Sequence, residues 1–244
     1  MPIGFQCQHE RVERLGYGDD PDQAAELYRP RGAGRGVVVV IHGGFWRARY
    51  DWSLGRPLAA SLVEEGWAVL NLEYRRAGNG GGYPETFDDV GAGIDLLAEV
   101  DVDTSRVVTL GHSAGGHLAV WAAGRHDARV RVTAAVSQAG VLDLRGAVEQ
   151  RLGDGAVELF LGPYDADLYA TADPLSQVPL DVPVVCVHAP DDDTVPIEQS
   201  RTYVDAARAA GAEAELATVD GGHFAVIDPT SDAWRRTLSV LESL

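Results

Sequence analysis

Val107-Val108-Thr109-Leu110-Gly111-His112-Ser113-Ala114-Gly115-Gly116-His117 passes from a β-branched apolar run, through a G-x-S-x-G pentapeptide, into small and apolar residues that continue to Ala123. That order predicts a strand, a sharp turn and a helix. Glycines on both sides of the serine admit a backbone too tight for side chains, and such a turn leaves the hydroxyl standing above the strand ends. Ser113 is therefore the candidate nucleophile.

Outward from this junction the same alternation recurs. Val37–Ile41, Trp67–Leu72, Val132–Val136 and Val184–Val187 read as further buried strands. Between them, Phe87, Val90, Ile94 and Leu97 recur at helical steps after Pro84, and Ala114–Ala123 and Tyr203–Ala210 behave likewise. A last helix is expected from about Pro229 and Thr230, with Trp234, Leu238 and Leu241 on one stripe. Strand and helix in alternation predict an α/β chain with a mostly parallel central sheet covered on both faces. A chain of 244 residues without internal repeats or a linker is expected to be one domain, residues 1–244. Residues 142–180, broken by Gly153, Gly155, Gly162, Pro163 and Pro174, interrupt the pattern and read as an insertion, either a lid or pocket wall or an irregular surface excursion.

A serine hydroxyl attacks a carbonyl when a base takes its proton, and a carboxylate holds that base in place. Both follow in chain order. Ala189-Pro190-Asp191-Asp192-Asp193-Thr194-Val195-Pro196 comes after the strand ending at His188, and Asp220-Gly221-Gly222-His223-Phe224 lies near the C-terminus. Charge developing on a carbonyl oxygen also needs donors. His42-Gly43-Gly44-Phe45-Trp46 stands directly after the strand Val37–Ile41, so the N–H groups of Gly44 and Phe45, with Gly43 as the near alternative, join that of Ala114 as oxyanion candidates. Of the other histidines, His9 and His126 lie among polar neighbours and read as solvated, and His188, at a strand end, reads as a brace for the acid loop. His112 and His117 flank the nucleophile, with a structural hydrogen bond or a place in the pocket lining as the two readings. No His, Cys and carboxylate set has metal-ligand spacing, so no metal is expected, and a serine mechanism of this kind calls for no cofactor.

These motifs together resemble the α/β-hydrolase superfamily over nearly the whole chain. The family pattern G-x-x-D-x-x-V-P falls on Asp192, three residues before Val195, with Ala189 in place of the usual glycine. The resemblance implies a triad of Ser113, Asp192 and His223, with Asp191 and Asp193 as competing loop carboxylates. His-Gly-Gly-Phe-Trp beside Gly-His-Ser-Ala-Gly is similar to the kynurenine formamidase (arylformamidase) and small carboxylesterase group. That likeness implies a small-molecule ester or aryl formamide substrate. It makes Trp46, with His112, a candidate pocket residue against which an aromatic ring packs, the other reading of Trp46 being filler in the loop core. Glu73-Tyr74-Arg75-Arg76 resembles a Tyr-Arg segment of these esterases, and its arginines either hold a substrate carboxylate or bridge to Asp88 or Asp89. An acyltransferase or thioesterase would use the same triad. A non-catalytic receptor on this fold would usually show it broken.

Composition narrows the field from the other side. Twenty basic residues, all arginine, against thirty-seven acidic ones give a formal charge of −17, which argues against nucleic acid as a partner. Without lysine, Schiff-base chemistry and the lysine-dependent phosphate loop are excluded. Cys7 and Cys186 are too few for a disulfide framework, and Cys186 reads as a buried core thiol. No apolar run is long enough to cross a bilayer, and Met1 to Leu15 lacks a signal-peptide core, so no membrane partner and a cytoplasmic location are expected. Nothing in the sequence speaks to oligomeric state.

Overall fold

The computed structural model describes residues 12–32 and 34–244. Cys7, His9 and most of the N-terminal stretch considered above lie outside those residues. Eight strands form one sheet: β1 (Val12–Gly16), β2 (Ala24–Tyr28), β3 (Val37–Ile41), β4 (Ala68–Leu72), β5 (Val107–His112), β6 (Ala134–Gln138), β7 (Val184–His188) and β8 (Ala214–Thr218). Their spatial order is β1-β2-β4-β3-β5-β6-β7-β8. β2 runs antiparallel to both neighbours, and every pairing from β4 to β8 is parallel.

The all-apolar β3 shows why a continuous hydrophobic run is a central strand. Val37, Val39 and Ile41 enter one core with Phe87, Val90 and Ile94 of α2 (Glu85–Asp95) and Leu118 of α3 (Ala114–Ala123). Val38 and Val40 enter the opposite core with Leu58 and Leu62 of α1 (Arg56–Glu64) and Trp234 and Leu241 of α9 (Asp232–Ser243). Alternate side chains thus meet helices on both faces, as a parallel sheet requires. Ser231 caps α9, its Oγ accepting from Trp234 N–H at 2.9 Å, so the helix begins just after the proline expected to start it.

The interruption at 142–180 is helical, not irregular. It holds α4 (Leu144–Glu149), α5 (Leu152–Leu161) and α6 (Ala166–Ala172), with Leu144, Phe160 and Tyr169 packed into the same core as α2 and α3. The chain enters α5 through a left-handed turn at Gly153, Asp154 and Gly155. Two further helices, α7 (Glu198–Ala209) and the short α8 (Gly222–Ala225), complete the chain on either side of β8.

Candidate active site

Because the strands from β4 to β8 run parallel, the loops that follow β3, β5, β7 and β8 gather at one edge of the sheet. Ser113 stands at the junction of β5 and α3 with φ 55° and ψ −118°, a conformation that side-chain-bearing residues rarely adopt. Its N–H donates to the Gln138 carbonyl at 2.8 Å, which ties the turn to β6. A methyl at Gly111 would overlap the Gly115 carbonyl, and one at Gly115 would overlap that of Ile41. The two glycines of the pentapeptide are therefore steric requirements of the elbow.

His223 lies on α8, which the chain enters through left-handed Gly221 and Gly222. Its Nδ1 is 2.7 Å from Asp192 Oδ2. A carboxylate only accepts, so Nδ1 carries the proton and Nε2 keeps a free lone pair. Asp192 Oδ1 accepts from the N–H groups of Thr194 and Val195 at 2.8 Å each, and its side chain has no exposed surface. Burial alone would push this carboxyl up, but the hydrogen bonds from His188, His223 and the Val195 N–H outweigh it and hold the group well below the usual carboxylate range. Asp191 instead receives the Gly222 N–H at 3.2 Å, and Asp193 the Thr194 hydroxyl at 3.1 Å. Of the three neighbouring aspartates, the structure brings Asp192 to His223. The Ser113 hydroxyl makes no hydrogen bond among the described residues.

Opposite the serine, the turn after β3 is left-handed at Gly44 (φ 117°), Phe45 (φ 53°) and Trp46 (φ 53°). A methyl at Gly43 would lie 3.2 Å from Ser113 Cβ, so the turn and the elbow are in contact. Among the described residues the N–H groups of Gly44, Phe45 and Ala114 have no hydrogen-bond partner. A buried polar cluster supports the turn from beneath. His42 Nε2 lies 3.0 Å from Glu73 Oε1 and its ring stacks on Tyr74, whose hydroxyl donates to the His42 carbonyl at 2.7 Å. Glu73 Oε2 accepts from Trp52 N–H at 3.0 Å, and Arg76 pairs with Glu73 and with Asp22. Arg75 is clamped on Asp89 through Nε and Nη2 at 2.8 and 2.7 Å. Both arginines thus serve internal ion pairs; Arg75 makes the bridge to Asp89 that was one of its two expected roles, whereas Arg76 pairs with Glu73 and Asp22 and with neither Asp88 nor Asp89.

Two pocket candidates have other surroundings than expected. Trp46 is 1% exposed; its ring stacks on Phe160 at 4.9 Å and its Nε1 donates to His117 Nδ1 at 3.2 Å. It joins the turn after β3 to α5 and offers no surface to a ligand, so the loop-core reading replaces the pocket wall. His112 is also buried: its Nε2 donates to the His223 carbonyl at 2.9 Å and its ring lies 4.5 Å from that of His223. It backs the base. Burial lowers His112 to about 3 and His117 to about 4, so both rings are neutral near pH 7. What the sequence reading missed is Phe224, 67% exposed and edge-on to His223 at 5.1 Å, an apolar lip beside the base. Its position right after the candidate base was the available signal. Cys186 is a buried free thiol. Among the described residues no His, Cys, Asp and Glu group is arranged to hold a metal, and no helix is long and apolar enough to cross a membrane.

Comparison with known proteins places this geometry. The family model described as BD-FAE matches residues 26–206. The probable carboxylic ester hydrolase LipM of Mycobacterium tuberculosis is 29% identical over 198 residues, covering 70% of this chain and 44% of its own. The kynurenine formamidase of Drosophila melanogaster is 26% identical over 240 residues, covering 90% of this chain and 77% of its own. The chain spans about half the length of several curated relatives that it matches, LipM among them. Among solved structures, the acetyl ester-xyloside bifunctional hydrolase from Caldicellulosiruptor lactoaceticus superposes with a TM-score of 0.79 at 20% identity, covering 97% of this chain and 98% of that one, a likeness of fold.

Proposed function

We propose, from the premise that this chain belongs to the BD-FAE family and has the α/β-hydrolase fold, that it is a serine hydrolase cleaving small carboxylic esters or aryl formamides through an acyl-enzyme on Ser113. The observation that carries the reading is the 2.7 Å bond between Asp192 and His223, set beside a strained serine elbow and a turn of unpaired N–H groups. The names of the relatives, an ester hydrolase and a formamidase, support the two substrate classes.

In the reaction, substrate closes the gap between serine and base, and His223 Nε2 takes the Ser113 proton as Oγ attacks the carbonyl carbon. Catalytic hydrogen bonds of this kind are often open without substrate. The oxyanion is received by the N–H groups of Gly44, Phe45 and Ala114, each such donor contributing about 2.7–4 kcal/mol in measured cases. Asp192 stabilises the imidazolium and keeps its ring aligned. The tetrahedral adduct collapses as His223 protonates the departing alcohol or amine. Water, deprotonated by the same Nε2, then attacks the acyl-enzyme, and as the acyl–Oγ bond breaks His223 returns the proton to Ser113 Oγ and the acid leaves. The α4–α6 segment walls the site on the side of Phe45, whose ring packs on Gly153.

The test is kcat/KM for N-formylkynurenine beside p-nitrophenyl acetate, with Ser113→Ala as the blank. A preference for the formamide of about a hundredfold, or ~2.7 kcal/mol of transition-state discrimination, assigns the formamidase role. Cleavage of the ester alone assigns an esterase. Wild-type turnover by a folded Ser113→Ala variant would refute the serine mechanism.

A further inference from the structure

Asp192 Oδ2 faces two histidines. His223 Nδ1 lies 2.7 Å away and His188 Nε2 3.3 Å away. His188 is the last residue of β7, its side chain is wholly buried, and the reaction cycle above makes no use of it. Its ring is fixed at both ends: Nδ1 lies 2.8 Å from Ser200 Oγ on α7, and Nε2 lies 2.9 Å from the Val195 carbonyl. A carbonyl only accepts, so Nε2 carries the proton and Nδ1 accepts from the Ser200 hydroxyl. That single N–H is directed at Val195 O, and the same nitrogen lies 3.3 Å from the carboxylate oxygen that also receives His223.

The surroundings leave His188 as the group that distinguishes the two oxygens of Asp192. Oδ1 is occupied by the Thr194 and Val195 N–H groups of its own loop. From β5, His112 packs on His223 and bonds the backbone of the base, not the acid. Asp191 holds Gly222 and Asp193 holds Thr194, so neither reaches the pair. From α7 comes the Ser200 hydroxyl, with the buried Cys186 thiol of β7 behind it.

We propose that His188 is a positioning residue: its Nε2–H holds Asp192 in line with His223 and draws off part of the negative charge that the carboxylate presents to the base. The proposal rests on the triad reading above. A carboxylate oxygen that accepts a second N–H stabilises a neighbouring imidazolium less. The expected consequence is an acid limb of the pH–rate profile that lies lower with His188 in place than without it. Ser200 acts one step further back by keeping the His188 proton on Nε2.

The experiment is the pH profile of kcat/KM for p-nitrophenyl acetate, from about pH 4.5 to 9, on the full chain and on His188→Leu, His188→Gln and Ser200→Ala, each with a thermal melt. The acid limb of His188→Leu is expected to move up by roughly half to one pH unit, a loss of about threefold to tenfold on that limb relative to the plateau. His188→Gln, whose amide nitrogen reaches the place of Nε2, is expected to return the limb to within about 0.2 unit of wild type. Ser200→Ala should move it part of the way, and carries the test if His188→Leu does not fold. A uniform fall in activity or melting temperature with the limb unmoved in His188→Leu and Ser200→Ala would overturn the proposal. Failure of the triad itself is read separately, as retained activity in Asp192→Asn or Ser113→Ala.

Discussion

Gly43→Ala is the most direct probe of the oxyanion turn, because the obstacle it creates can be measured. The added methyl would stand 2.7 Å from the His112 carbonyl oxygen, 3.1 Å from His112 Nδ1 and 3.2 Å from Ser113 Cβ. Carbon and oxygen settle at about 3.3–3.6 Å, so the turn and the elbow must separate by roughly 0.6–0.9 Å, and the blocking atom is backbone that cannot swing aside. Misplacement by about 1 Å costs on the order of a hundredfold in rate, and complete loss of one oxyanion donor about a hundredfold to a thousandfold. We therefore expect kcat/KM for p-nitrophenyl acetate to fall between about tenfold and several hundredfold, chiefly through kcat. Overpacking of this kind costs ~1–3 kcal/mol, and at ~2–4 °C per kcal/mol for a domain of this size the melting temperature drops by roughly 2–12 °C. Gly34→Ala is the control. Gly34 is exposed and its nearest neighbour to a new methyl is Pro30 Cγ at 3.7 Å, an ordinary contact, so activity stays unchanged. A Gly43→Ala enzyme with lowered melting temperature but wild-type kcat/KM would show that this turn does not meet the reacting carbonyl.

Asp192→Asn should lower kcat by about 10⁴, whereas Asp193→Asn, which alters an exposed carboxylate away from the base, should stay within about threefold of wild type; equal losses would mean that the acid is misassigned. Burial, helped by nearby Asp143, raises the Asp173 carboxyl to about 6. Its folded value lies above its unfolded one, so its contribution to stability is full below about pH 4 and is lost as pH rises to about 6, on the order of 1–3 kcal/mol. Asp173→Asn should flatten that slope in melting temperatures taken between pH 4 and 7, and an unchanged slope would refute the assignment. Trp46→Phe keeps the stack on Phe160 but loses the bond to His117, and should cost ~1 kcal/mol in melts while KM for an aryl ester stays within about twofold. A tenfold rise in KM would restore Trp46 to the pocket.

The legible part of the molecule was the part where one requirement dominates a stretch of residues. β3 is apolar throughout, and β7 is apolar up to its last residue, His188, because both faces are covered, and the serine turn is fixed by backbone clearances at Gly111 and Gly115. β2 was missed because its centre is Glu26, a residue foreign to a strand pattern until its partners are seen: Arg56 at 2.7 Å and Asn71 at 3.1 Å, both from other elements. The helices of 142–180 were masked by Gly153 and Gly155, which in the structure form the left-handed entrance to α5. Trp46 was half read. An indole beside an oxyanion turn suits a ligand or a neighbouring helix equally well, and Phe160, more than a hundred residues away in sequence, decides between them.

The same limit explains why the contacts around Ser113, Asp192 and His223 were not readable in the sequence. Ser113 follows β5, Asp192 follows β7 and His223 follows β8, so with strands about 4.8 Å apart Asp192 must reach back across roughly two spacings and His223 across three to meet Ser113. The intervening strand does part of that positioning. Gln138, at the end of β6, accepts the Ser113 N–H on its carbonyl, while its side-chain amide donates to the Val226 carbonyl just beyond α8 and, at 3.2 Å, to Thr237 of α9. One residue therefore fixes the elbow with its backbone and the base segment with its side chain. Its amide carries no charge and matches no catalytic motif, so its role follows from strand order alone. Gln138 thus ties the Ser113 turn to the segment that follows His223, and a change there should move the two apart while leaving each intact.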